Sequence, residues 1–247
     1  MIIGFIGFGE VNSKLNSIFN NFNLKTVTST EDRSIKTIKI IYSSKIQVLN
    51  SFKDVINLSD ILINATSPKN ALFDSKKYLK NFDGIYLDLN NVSPETTLKI
   101  SDDFKNNFVD GAIIGKINKE KPLIIVSGNS GSKLDFLNNY GVEIKFISDK
   151  IGDASALKIL RSTYTKSLSA VLIESLDYAK SLDLENEFFD ILTISEGENF
   201  REKSESRVSN TKKHNLRKIE ELDEILEFFK DKDTTIIKAS KEKFNKL

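Results

Sequence analysis

The stretch GFIGFGEVNSKL, residues 4–15, decides how this chain begins. It runs out of the apolar segment MIIGFIG, passes Gly7 and Gly9, and enters an amphipathic segment that starts at Glu10. Gly7 permits a tight turn out of a strand, and Gly9 lets backbone approach a bound group with no Cβ in the way. The helix that follows directs the free N–H groups of this loop, Phe8 to Val11 with Glu10 between them, and its positive dipole end at an anion. Strand before, helix after, this is the Gly-x-Gly-x-x turn of a dinucleotide-binding fold. Asn12 stands where a third glycine is usual. That glycine serves close packing of helix on strand, so Asn12 is expected to loosen the packing more than to change the chemistry.

Working outward, the ribose of such a cofactor should lie about 20 residues beyond the glycines, at the end of the second strand. There the chain reads TSTEDRS, residues 28–34. Ser29 and Thr30 occupy the expected strand end with Arg33 close behind, which favours NADP. Glu31 and Asp32 sit between and would favour NAD, and Arg33 reads equally well as an ordinary surface charge. ATSPKNAL, residues 65–72, follows another apolar run, so Thr66, Ser67 and Pro68 are candidate walls of the same cofactor site, with a plain turn as the alternative.

The totals exclude several classes. Lys and Arg number 36 against 35 Asp and Glu, a net charge of +1 scattered in mixed runs, so neither a nucleic acid nor a membrane surface is an expected partner. Without cysteine there is no disulfide, zinc-thiolate site, iron-sulfur cluster or cysteine nucleophile, and the single His214 excludes a histidine-rich metal site. No apolar run has the length of a membrane span and no leader precedes the first strand, which reads as a soluble, cytoplasmic protein.

In the first half, apolar runs (LKTVTS, IKIIY, DILINAT, GIYLDLN, FVDGAII, PLIIVSG and VEIKFIS) alternate with amphipathic segments such as EVNSKLNSIFNNF and SPETTLKISDDF. Unbroken apolar runs of this length point to a mainly parallel sheet covered on both faces. From Ile151 the pattern becomes one long helix, with Leu157, Leu160, Tyr164, Leu168, Leu172, Leu176 and Ala179 at spacings of three and four. A second series, Leu216, Ile219, Leu222, Ile225, Leu226 and Phe229, is expected to share a face of a later helix. The expectation is an α/β fold: a Rossmann-like doubly wound, mainly parallel sheet over residues 1–150, followed by a smaller all-helical domain over 151–247.

Taken with YLDLNNVSPETTLKI, VDGAIIG, LIIVSG and GDASALKILRSTYTKSLSAVLIES, the opening stretch resembles the β-hydroxyacid dehydrogenase superfamily, and within it a 6-phosphogluconate-dehydrogenase-like branch with a short helical C-terminal domain of undefined function. The resemblance covers nearly the whole chain. It implies a nucleotide domain, a helical domain, and a catalytic lysine on the long first helix of the latter. Gly152 and Lys158 match that motif. Ala154 stands for a second glycine, and Ser162 for an asparagine one turn beyond the lysine. The family's substrate loop survives only as Asp110 and Gly115, and its Asp-x-Ser-Thr-x-x-Pro segment appears as Asp88 to Pro94. In that segment Asn90 and Asn91 could donate hydrogen bonds to a carboxylate or to the nicotinamide carboxamide. These departures imply a different substrate from that of the best-known members.

Independently of any family, Ser155, Lys158, Arg161, Ser162 and Thr165 fall at helical spacings and form one polar stripe. A lysine shielded from water loses part of its preference for the charged form and can exchange a proton with a hydroxyl, and Arg161 could fork onto a carboxylate or phosphate. The stripe reads comparably as the wet face of the helix, with Lys166 and Lys180 as further surface lysines; the resemblance favours catalysis. The resemblance adds Lys213, His214 and Arg217 as candidates for holding an anionic substrate, because in that branch a histidine followed three residues later by an arginine occurs in this region, although a lone histidine at a helix start is more often a surface or capping residue. The leading expectation is an NADP-dependent oxidoreductase, NAD being the alternative cofactor, acting on a small hydroxy acid, sugar acid or related carbonyl compound. An imine reductase and a non-catalytic nucleotide-binding or assembly protein are the alternatives; retention of Lys158 speaks against the former. The long helix also suggests a homodimer built through the helical domain.

Overall fold

The structure is a computed structural model that describes residues 1–67, 71–73, 75, 82–102 and 107–247. It divides into two compact units, Met1–Lys158 and Ile159–Leu247. The division falls inside the long helix rather than ahead of it at residue 150, so the start of that helix belongs with the sheet.

In the first unit, β1 (Ile2–Ile6), β2 (Lys25–Ser29), β3 (Gln47–Leu49), β4 (Ile61–Asn64), β5 (Ile85–Asp88), β6 (Phe108–Ile114), β7 (Leu123–Ser127) and β8 (Glu143–Ser148) form one sheet. Its order is β3-β2-β1-β4-β5-β6-β7-β8. Every neighbouring pair is parallel except β6 with β7. Helices α1 (Glu10–Asn21), α2 (Ile35–Ser43), α3 (Phe52–Leu58) and α4 (Pro94–Ser101) lie between strands. Period-two alternation gives each strand two buried faces: Ile3 and Phe5 join Leu15 and Phe19 of α1 in one core, whereas Ile6 joins Phe52 and Val55 of α3 in another. The sequence order reverses between β1 and β4, and in sheets of this kind a ligand binds outside the carboxyl ends of the strands at that reversal.

IKIIY is not a strand. It lies in α2, whose Ser34 cap accepts the N–H of Thr37; Ile41 is buried in the core with Ile40 packed against it, whereas Tyr42, and Ile35 at the start of the helix, are exposed. The strand expected there is instead β3, three residues at the sheet edge.

Helix α5 (Asp153–Ser181) carries the chain into the second unit, where it is followed by α6 (Glu185–Glu196), α7 (Phe200–Lys213), α8 (Asn215–Phe228) and α9 (Thr235–Asn245). The apolar series on α5 does not stay on one face. Leu157, Leu160, Tyr164 and Leu168 are exposed, while Leu172, Leu176 and Ala179 are buried. Each step of four advances about 40° around the helix, so a run of such steps migrates from one side to the other. Ile219, Leu222, Ile225, Leu226 and Phe229 share a core as expected, but Leu216, 80 % exposed, points elsewhere.

Candidate active site

The site begins with the register of the sheet. Ile6, Asn64, Asp88, Asp110, Ser127 and Ser148 are paired in turn from β1 through β4, β5, β6 and β7 to β8. From β4 to β8 this places a row of polar residues, Asn64, Asp88, Asp110, Ser127 and Ser148, across the sheet; Asn64, Asp88, Ser127 and Ser148 close their strands and Asp110 lies near the start of β6. Asp110 and Ser127 anchor the long helix to it. One Asp110 oxygen accepts the Ser155 hydroxyl at 2.7 Å, and the other accepts the Ser155 N–H at 2.9 Å and the Ser127 hydroxyl at 3.2 Å. Ser127 Oγ in turn accepts the N–H of Ala154 at 3.0 Å. Two first-turn N–H groups of α5 that no helical carbonyl can reach are thereby satisfied, and Lys158 follows one turn on, partly buried.

At the reversal point Gly7 has φ +77°, a left-handed conformation, and a Cβ there would meet the Ala65 carbonyl oxygen at 2.8 Å and Thr66 Cγ2 at 2.6 Å. Over Gly9, by contrast, a Cβ would meet nothing within 4 Å. Gly9 caps α1 without a side-chain bond, so the first N–H groups of the helix keep their donors. Asn12 does not loosen this corner. It is fully buried, and its Nδ2 donates to the carbonyls of Gly7 at 2.8 Å and Ile6 at 3.1 Å, with Ile63 O at 3.4 Å. Asn12 does with hydrogen bonds what the third glycine does by being small, holding α1 to the ends of β1 and β4.

Beside this loop, Thr66 N–H donates to Asn90 Oδ1 at 2.7 Å, bridging the ends of β4 and β5. That bond fixes which end of the Asn90 amide is oxygen and leaves Nδ2 as a buried donor with no partner among the described residues. Asn64 Nδ2 donates to the Tyr86 hydroxyl at 2.6 Å, and one oxygen of Asp88 is likewise buried without a partner among the described residues. Burial away from water, with a smaller push from the Asp110 carboxylate, lifts the Asp88 pKa to about 7; burial raises that of Asp110 too, against its hydrogen bonds from Ser155. Glu10 holds the loop after β6 close to α1, because its carboxylate accepts from Asn118 at 2.8 Å. Gly115 opens that loop, exposed and at φ +87°.

Past β2, Ser29 is buried and accepts the Glu31 N–H, so its hydroxyl shapes the turn. The Glu31 carboxylate accepts the Phe52 N–H at 2.8 Å, at the start of α3. Arg33 lies over the Phe52 ring at 4.7 Å and donates to the Glu31 carbonyl. Ser67 and Asn91 are exposed, and Pro68 lies outside the described residues.

The expected polar stripe of α5 is divided. Ser155 and Lys158 belong to the sheet unit; Arg161, Ser162 and Thr165 belong to the helical one. Arg161 is exposed, Ser162 accepts from Lys166, and the Thr165 hydroxyl donates to the Ser162 carbonyl. Lys166 is no surface residue: it is buried and paired with Glu221 at 2.7 Å. Arg217 is exposed and bound to the same Glu221, and His214 stands exposed at the junction of α7 and α8. Sequence reading left Asn64 and Ser127 of the sheet unit out of the site, and it did not pair Lys166 with Glu221 in the helical unit. The signal for the first two was present in the polar residue that ends each apolar run.

No protein-family model matches the chain. An uncharacterized 28.5 kDa protein from Methanothermus fervidus is 45% identical over 231 residues, spanning 92% of this chain and 90% of its own. A conserved protein of unknown function, whose solved structure is described as similar to 3-hydroxyacid dehydrogenases, is 35% identical with a TM-score of 0.91, covering 100% of this chain and 96% of its own. The chain belongs to the β-hydroxyacid dehydrogenase superfamily. Other members share its fold at lower identity. Mycobacterium tuberculosis 3-hydroxyisobutyrate dehydrogenase has a TM-score of 0.81 at 13% identity, over 99% of this chain and 92% of that one. A reductive aminase from Aspergillus terreus, solved with NADPH and ethyl levulinate, has 0.64 at 11% over the same shares.

Proposed function

We propose that this superfamily member is an NAD(P)-dependent oxidoreductase that prefers NADP and acts on a small hydroxy acid, sugar acid or related carbonyl compound. The observation that carries the reading is the corner at β1 and β4. A left-handed Gly7, open space over Gly9 and an uncapped α1 fit a pyrophosphate, and the buried, unpartnered Nδ2 of Asn90 beside Thr66 suits a carboxamide oxygen. Thr66, Phe8, Glu10 and Val11 line the same loop. Preference for NADP is supported by Glu31, whose carboxylate is engaged at α3 and so does not oppose a 2′-phosphate near Arg33.

The nicotinamide cofactor, when bound, accepts or delivers the hydride. Lys158, in its amine form, takes the hydroxyl proton as the alcohol becomes a carbonyl, and returns it in the reverse direction. The Asp110 clamp on Ser155 fixes the turn from which Lys158 projects. Asn91, Gly115 and Arg161 remain the candidates for substrate recognition. In a spectrophotometric screen of short 2- and 3-hydroxy acids with NADP+, Lys158→Ala should lower kcat by about 10²–10⁴-fold while NADPH affinity stays within about twofold. Unchanged turnover in the variant would remove Lys158 from the chemistry.

A non-catalytic nucleotide-binding protein is favoured by one observation: Ser162, at the family's asparagine position, is engaged by Lys166. That reading predicts NADPH binding without turnover across the whole screen. A homodimer through the helical unit is supported by the exposed row Leu160, Tyr164, Leu168, Val171 and Tyr178 along α5. Light scattering at micromolar concentration should give twice the chain mass for the wild type and a monomer for Tyr164→Glu.

A further inference from the structure

The helical unit holds a cluster of charge that the chemistry above does not use. Lys166 on α5 and Arg217 and Lys218 on α8 gather around a single carboxylate, Glu221, and Arg207 on α7 acts on Lys218. Both Glu221 oxygens are spent, Oε2 on Lys166 at 2.7 Å and Oε1 on Arg217 at 3.0 Å. Arg207 and Lys218, both partly buried, are in no ion pair among the described residues.

Neutral oxygens hold these two cations instead. Arg207 uses one Nη1–H on the Thr165 carbonyl at 3.3 Å, and Lys218 Nζ donates to Thr211 Oγ1 at 2.7 Å. Thr211 is buried, and its own hydroxyl proton goes to the Arg207 carbonyl at 2.8 Å, so its oxygen can only accept from Lys218. Among the described residues most of the five guanidinium donors and two of the three ammonium donors meet no acceptor. Burial, and repulsion by Lys166 and Arg207, lower the Lys218 pKa despite the attraction of Glu221. Partly buried cations normally have carboxylate partners, because desolvation without compensation is costly. The two cations stand on α7 and α8 and are held by neutral acceptors, Thr165 on α5 and Thr211 on α7.

We infer that Arg207 and Lys218, oriented by Thr165 and Thr211, form a binding site for a phosphate group, either as the inorganic ion or as a phosphomonoester. Two uncompensated cations match a dianion, and a tetrahedral phosphate offers several acceptor oxygens to a guanidinium fork and an ammonium, where a carboxylate offers one charge and two oxygens. The site does not depend on the oxidoreductase reading.

The test is calorimetric titration and thermal unfolding of the full chain with inorganic phosphate and glycerol 3-phosphate, against chloride and acetate at equal ionic strength. Wild type should show saturable binding and a rise in Tm with a phosphate ligand. Arg207→Met and Lys218→Met should each weaken it by at least about tenfold, whereas Lys203→Met, an exposed change on α7, should not. Without ligand, Lys218→Met should melt no lower than wild type, because it removes a repelled charge; loss of binding then cannot be ascribed to misfolding. Tighter binding of the ester assigns the site to an organic phosphate, and tighter binding of the free ion assigns it to inorganic phosphate. Equal responses to phosphate and chloride, or full binding by both Met variants, would overturn the site.

Discussion

In the sheet unit the Asp110 carboxylate holds neutral donors, whereas at Arg207 and Lys218 in the helical unit neutral oxygens hold cations. Asp110 gathers the Ser155 N–H and hydroxyl and the Ser127 hydroxyl; Arg207 and Lys218 rest on a carbonyl and a hydroxyl. The first arrangement satisfies its charge internally and fixes a helix. The second leaves charge over. The same contrast recurs in miniature between Gly7, where a Cβ would strike Ala65 and Thr66, and Gly9, where it would meet nothing within 4 Å.

The largest effect should come from breaking the structural side. Gly7→Ala puts a methyl against Ala65 and Thr66 in a left-handed turn and should destabilise the protein by about 2–4 kcal/mol in urea unfolding. A variant as stable as wild type would show that this corner is slack.

Next comes Asp88. Its folded pKa of about 7 lies above its ordinary 3.8, so the folded state holds the proton more tightly than the unfolded chain does. Its contribution to stability is therefore fully present below about pH 4 and falls as the pH rises to 7, beyond which it is lost. Asp88→Asn, which cannot ionise, should be more stable than wild type by about 1–3 kcal/mol at pH 8, an advantage that shrinks as the pH falls and is gone below about pH 4. An advantage independent of pH would contradict the burial argument.

The smallest effect sharpens the distinction between the two glycines. Serine is a better helix cap than glycine, so Gly9→Ser should leave urea stability equal or slightly higher, yet weaken NADPH by about tenfold by intruding on the pyrophosphate. Equal losses of folding and of binding would make Gly9 merely structural.

The fold was legible because parallel strands buried on both faces leave long apolar runs, and β1, β4, β5, β6 and β7 appear in the sequence as such. The exceptions follow from the same physics. In α2 the Ser34 cap outweighed a β-branched run, and β3 is too short and too peripheral to leave a pattern. The glycine turn was legible because only glycine serves there, but the role of Asn12 was not. Replacing a small residue by an amide reads as loosened packing until the carbonyls of Ile6 and Gly7 are seen to converge on it. Lys166 was misplaced for a related reason: its burial depends on Glu221, on another helix, and helical spacing along α5 carries no information about that partner.

The measurement that bears most directly on this account is titration of the purified protein with NADPH and with NADH, followed by nicotinamide fluorescence. Saturable binding of NADPH, at least about tenfold tighter than that of NADH, is the predicted result. Binding of neither would contradict the cofactor site built on Gly7, Gly9 and Asn12, and with it the oxidoreductase.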